Sequence, residues 1–83
     1  MNITVLTPDQ EIYQGELISV KVPGVGGQFE ILKNHAPLVS ALEKGSVRLK
    51  INNSESMNFS IEKGFIEVLN NEVSLLVQGY TKE

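Results

Sequence analysis

The chain has 83 residues, 41% of them apolar, with a net charge of −3 and no cysteine. That suffices for one domain across residues 1–83 and is too little for two, and it excludes disulfide staples and thiolate metal sites. Seven basic residues are scattered along the chain, and only Arg48 and Lys50 share a face of one strand; that excludes the phosphate-backbone footprint of a nucleic-acid binder.

Valine and isoleucine together number sixteen and alanine two, so pleated sheet is expected throughout. In chain order, Ile3, Val5 and Leu6 open a first strand that stops at Thr7-Pro8-Asp9, followed by a short run from Glu11 to Tyr13. Ile18-Ser19-Val20-Lys21-Val22 alternates apolar and polar until Pro23-Gly24, and Pro23 to Gly27 reads as a wide, glycine-rich turn. Gln28–Leu32 and Pro37–Leu42 are short strands around Asn34-His35-Ala36. Pro37 and Gly45 leave too little room for a helix there. Val47–Asn52 and Met57–Glu62 alternate without error around Asn53-Ser54-Glu55 and form a hairpin. Lys63-Gly64 breaks the pattern, and Phe65–Leu69 then pairs with Val73–Val77 across Asn70-Asn71, two residues that tolerate positive φ. The last four residues, Tyr80 to Glu83, are polar and expected to fray. The fold class is all-β: a flattened sandwich of about 8–10 short, mostly antiparallel strands.

Chemistry finds no foothold. The Pro23–Gly27 segment lacks the lysine and helix of a phosphate loop and the third glycine of a dinucleotide fingerprint. His35 is the only side chain that titrates near neutrality, and no serine sits in a nucleophile-elbow pattern. The carboxylates are spread over strands and loops without close pairing. No stretch approaches the roughly 20 apolar residues of a membrane span. Met1-Asn2-Ile3-Thr4 opens without a basic and apolar leader, so a cytosolic chain is expected. No catalytic residue, cofactor or metal is expected.

Several segments resemble the epsilon subunit of F-type ATP synthases, called delta in mitochondria. They are Leu6-Thr7-Pro8, Val20-Lys21-Val22-Pro23-Gly24, Gly27-Gln28-Phe29, Ile31-Leu32, Asn34-His35-Ala36-Pro37-Leu38, Leu42 with Gly45, and Gly64-Phe65-Ile66-Glu67-Val68. The resemblance implies a β-sandwich at the foot of the rotating central stalk, bound to the gamma subunit and resting on the c-ring within the alpha–beta–gamma–epsilon assembly. It implies a non-catalytic part that couples ring rotation to gamma during proton-driven ATP synthesis. Carried over by position, Thr7, His35, Ala36, Pro37 and Leu38 are the expected contacts with gamma. Gly27, Gln28, Phe29 and Glu30 are the expected contacts with the c-ring. The implied location is peripheral, on the cytoplasmic face of a bacterial inner membrane, with no insertion into the bilayer.

The chain departs from the family at Glu30, usually glycine, at Lys33, often proline, and at Asn34, a common glycine. Asparagine also adopts left-handed backbone, so the last change is mild. Family members usually continue into a helical hairpin, whereas only six residues, Gln78 to Glu83, follow the final predicted strand. The chain is therefore expected to transmit torque without a regulatory arm or a helical nucleotide site. Two rival readings stand beside this one. A free-standing β-sandwich adaptor or sugar binder would need an aromatic platform, for which Phe29 and Tyr13 are the candidates. A small hydrolase would have to be built on His35.

Overall fold

Each run with period-two apolar spacing forms a strand in the computed structural model, which describes residues 1–83. There are ten strands and no helix: β1 (Asn2–Leu6), β2 (Glu11–Glu16), β3 (Ser19–Gly24), β4 (Gly27–Leu32), β5 (Leu38–Leu42), β6 (Gly45–Asn52), β7 (Glu55–Ile61), β8 (Lys63–Leu69), β9 (Glu72–Gln78) and β10 (Thr81–Lys82). The predicted elements stand, with β2, β3, β6, β7 and β8 each extended at one end by two or three residues. Lys63-Gly64 begins β8 instead of interrupting the sheet.

Hydrogen bonds link the strands in the order β10-β7-β6-β3-β5-β8-β9-β1-β2, with β4 on the other edge of β3. All pairs are antiparallel except β1 with β9. The sheet curls so that one leaf (β4, β3, β6, β7, β10) faces the other (β5, β8, β9, β1, β2). Sixteen buried apolar residues fill the space between, from Ile3 and Val5 to Leu75 and Val77. Burying an aliphatic side chain contributes about 1.5–3 kcal/mol, so alternation alone fixes which face of each strand points inward.

β3 joins the first leaf to the second at its C-terminal end. Ser19 to Lys21 pair with β6, and only Gly24 pairs with Leu42 of β5. Pro23 sits at that transition. Its carbonyl accepts the Glu43 amide at 2.9 Å, so the edge where its own N–H would point is the gap between β6 and β5. A proline inside a strand costs no ladder bond there.

The Pro23–Gly27 turn is tighter than its composition suggests. Gly24 pairs with Gly27, leaving a two-residue tip, Val25-Gly26. Neither tip residue has positive φ; Gly27 absorbs the reversal at φ 127°. Asn70 and Asn71, at φ 52° and 62°, make the expected left-handed turn between β8 and β9.

The C-terminal residues do not fray. Thr81 and Lys82 pair with Ser60 and Phe59 of β7, and the Tyr80 ring lies 5.1 Å from that of the buried Phe59. The Glu83 carboxylate accepts hydrogen bonds from the hydroxyls of Ser46 and Ser60, which hold its pKa below the ordinary 4.5, Ser60 more than Ser46. The folded chain holds this proton less tightly than the unfolded one. The contacts are therefore complete above pH 4.5 and are lost as pH falls through the lower folded value. On acidification, the Thr81 and Lys82 NMR signals are expected to move to random-coil positions while Phe59 stays native. Replacing both serines with alanine should abolish that pH dependence; a transition that persists unchanged would sever Glu83 from the tail's order.

Candidate functional site

The largest unexplained surface feature is apolar. On β8 and β9 both faces carry large apolar residues, so one set must face water. Phe65 and Leu76 are each 50% exposed, and Leu6 is 36% exposed. Leu6 lies opposite Leu76, Leu76 opposite Phe65, and Phe65 opposite Ala41, so the four side chains form one row across four strands. Val39 and Leu69, also exposed, continue the outer face toward the other end of the leaf. A shallow hollow of about 460 Å³ opens along the row, between Leu6-Thr7-Pro8, Lys63-Gly64-Phe65 and Leu76-Val77-Gln78. Contiguous exposed apolar surface of this kind marks a docking face. Sequence reasoning missed it, although the signal was legible: Phe65-Ile66 and Leu75-Leu76-Val77 break strict alternation.

Thr7 stands at one end of this face. Its hydroxyl is occupied within the β1–β2 turn, accepting from the Gln10 amide at 3.0 Å and the Asp9 amide at 3.2 Å. His35, Ala36, Pro37 and Leu38 lie at the opposite end of the leaf, offset along the strand direction by about 17 Å, the length of the five-residue β1. There Asn34, at φ 66°, donates its amide to the Asn71 side chain at 2.6 Å, and Asn71 donates back at 3.0 Å. This clip ties the β4–β5 link to the β8–β9 turn. His35 is half-buried; its amide closes the turn onto Leu32, and its Nδ1–H donates to the Ala36 carbonyl at 2.7 Å. The ring orders its own loop. Ala36 and Pro37 are exposed, and Leu38 is half-buried opposite Val68. The residues expected to touch gamma are thus not one cluster; they bracket the apolar row.

Gly27, Gln28, Phe29 and Glu30 form the start of β4, not a loop. Gly27, Gln28 and Glu30 are exposed, whereas Phe29 is half-buried, packed on the core. Gly24 makes room for its ring: a Cβ there would lie 2.6 Å from Phe29 Cε2 and 2.8 Å from the Gly27 carbonyl oxygen. Tyr13 also packs against the core and donates its hydroxyl to the Glu16 carbonyl at 3.1 Å. Neither aromatic offers an exposed platform, which removes the basis of the sugar-binding alternative. No three His, Asp or Glu side chains converge as metal ligands, and no helix is long and apolar enough to cross a membrane.

The outer face of the other leaf is charged. Arg48 and Lys50 do not stand alone there, because Lys21 lies directly opposite Arg48. The strand-by-strand reading of two cations is corrected to three, brought together by β3–β6 pairing that spans 27 positions of sequence (48 − 21).

Residues 1–83 match the family model of "ATP synthase, Delta/Epsilon chain, beta-sandwich domain". The chain is 42% identical over 76 residues to the ATP synthase epsilon chain of Chlorobium limicola, covering 92% of this chain and 86% of that one. It is 47% identical over 85 aligned positions to the epsilon chain of Leptospira borgpetersenii, covering all of this chain and 65% of the relative. Its fold superposes on a chain of the Euglena gracilis mitochondrial ATP synthase, solved by cryo-EM as OSCP, F1 and c-ring. The TM-score is 0.89 at 18% identity, covering 96% of this chain and 51% of that one. A second likeness, TM-score 0.84 at 16% identity, is to the central stalk and c-ring of the Tetrahymena thermophila enzyme, covering 98% of this chain and 65% of that one. A match along all 83 residues to one sandwich family, with the strand order and clipped loops above, has one outcome: the chain belongs to the delta/epsilon family of ATP synthase subunits.

Proposed function

We infer that residues 1–83 act as a single β-sandwich unit of the central stalk in an F-type ATP synthase, a non-catalytic part coupling c-ring rotation to the gamma subunit. The observation that carries this reading is the exposed row of Leu6, Ala41, Phe65 and Leu76, an apolar face on a chain of this family. Gamma covers that face, with Thr7 at one margin and the His35-Ala36-Pro37-Leu38 link at the other. The β3–β4 hairpin, with Gly27, Gln28, Phe29 and Glu30, meets the c-ring; Gln28 and Glu30 supply modest polar contacts at its rim. The unit lies at the cytoplasmic face of a bacterial inner membrane, peripheral to it.

The test is capture of gamma, together with alpha and beta, from the organism's own membrane extract by tagged chain. Phe65→Glu places a charge at the centre of the row, where buried aromatic anchors are worth about 2–4 kcal/mol. Capture is expected to weaken by about 30-fold or more. The isolated variant should unfold within about 0.5 kcal/mol of the parent, since Phe65 is half in water. Undiminished capture would move the gamma contact elsewhere.

A further inference from the structure

The charged face of the first leaf contains a hollow of about 210 Å³ lined by Ser19, Lys21, Glu30, Arg48 and Lys50. The sheet register builds it. Lys21 faces Arg48 across the β3–β6 ladder, Ser19 faces Lys50, and Glu30 faces Lys21 from β4. Like charges placed directly opposite each other destabilise a sheet. None of the three cations is relieved by an ion pair, and the one ion pair of the chain joins the Met1 amino group to Glu16. Ser19 is the only buried polar residue, 4% exposed. Its hydroxyl enters no hydrogen bond with the chain, yet no fully occluded side-chain polar atom lacks a partner. Ser19 is one of the five residues that line the hollow.

We propose that this hollow is a binding site for a phosphate-class dianion, held by Lys21, Arg48 and Lys50 with the Ser19 hydroxyl donating from below. Three cations less the Glu30 carboxylate leave a local charge of +2 (3 − 1). A phosphate monoester, at about −1.5 to −2 near pH 7, matches it. Arg48 offers two parallel N–H donors, and the lysines act as point charges. The bound anion would relieve the Lys21–Arg48 opposition, so occupancy and sheet stability are coupled. The source is a soluble phosphate, because a hydroxyl recessed below the strand side chains is out of reach of headgroups held in a bilayer plane.

Thermal unfolding of the chain is followed in sodium phosphate and in sodium chloride of equal ionic strength, for the parent, Ser19→Ala and Arg48→Gln. Phosphate also raises the midpoint of any protein weakly by exclusion from its surface, so the saturable part of the response is the signal. The parent is expected to show a saturable rise, Ser19→Ala the same rise at about tenfold higher phosphate, and Arg48→Gln none. In chloride, Arg48→Gln should melt no lower than the parent. Amide NMR shifts on phosphate titration should concentrate at Ser19, Lys21, Arg48 and Lys50. An equal, unsaturating rise in all three chains overturns the site, as does a Ser19→Ala response identical to the parent's. Arg48-dependent sedimentation with phosphatidylcholine vesicles containing phosphatidic acid, without a response to free phosphate, overturns the soluble source.

Discussion

Phe59→Ala is expected to lower the unfolding midpoint by about 12 °C or more. Phe59 is the largest fully buried side chain, and it carries the Tyr80 ring against it at 5.1 Å. Truncating such a residue removes its transfer free energy and leaves a cavity, together about 3–5 kcal/mol. A domain of this size moves roughly 4–8 °C per kcal/mol. The loss also undercuts the aromatic pair that holds β10 to β7, so the Thr81 and Lys82 amides should exchange faster well below the melting range. Calorimetry checks the midpoint, and hydrogen exchange checks the tail. A loss under about 1 kcal/mol would mean that the core repacks around the gap.

The second large effect separates two glycines of one hairpin. At Gly24, an added Cβ meets the Phe29 ring at 2.6 Å and the Gly27 carbonyl at 2.8 Å, and a backbone carbonyl does not step aside cheaply. Gly24→Ala should therefore cost about 1–3 kcal/mol and tilt the hairpin tip. Gly26 has no heavy atom within 4 Å of its would-be Cβ and no positive φ. Gly26→Ala should be neutral, or stabilising by about 0.4–1 kcal/mol through the unfolded chain. In assembled enzyme, Gly24→Ala should weaken the proposed hairpin contact with the c-ring and Gly26→Ala should leave it intact. Equal effects would show that the tip sequence, not its backbone placement, makes that contact.

Local pattern carried most of the fold. Strict alternation in Val47–Asn52 and Met57–Glu62 located β6 and β7, and Asn70-Asn71 announced the left-handed turn that both residues adopt. The tail was misjudged because Tyr80 and Glu83 are anchored by Phe59, Ser46 and Ser60, partners at least 21 positions away (80 − 59). Polar composition says nothing about such partners. The candidate surfaces were less legible for the same reason. Lys21 and Arg48 become neighbours only through strand pairing, and Thr7 and His35 prove to lie at opposite ends of one face. The apolar row did leave a trace, in apolar residues at both parities along β8 and β9, where a face simply solvated would be expected to alternate with polar residues.

The parallel pairing of β1 with β9 imposes an order of events on the ribosome. Asn2 lies opposite Glu72 and Leu6 opposite Leu76, so β1 is made some 70 positions (72 − 2) before the strand it docks on. Until then it has only β2, and a lone two-stranded hairpin is marginal in water. The β3–β4, β6–β7 and β8–β9 hairpins, each closed by a short turn, can zip in the order of translation. Closing the loop between β1 and β9 is the long-range step, of the kind that sets folding times of milliseconds to seconds in sheet proteins. While the nascent chain waits, Ile3 and Val5 stay in water beside an unpaired edge, which makes this the interval of greatest exposure to aggregation and to chaperone capture.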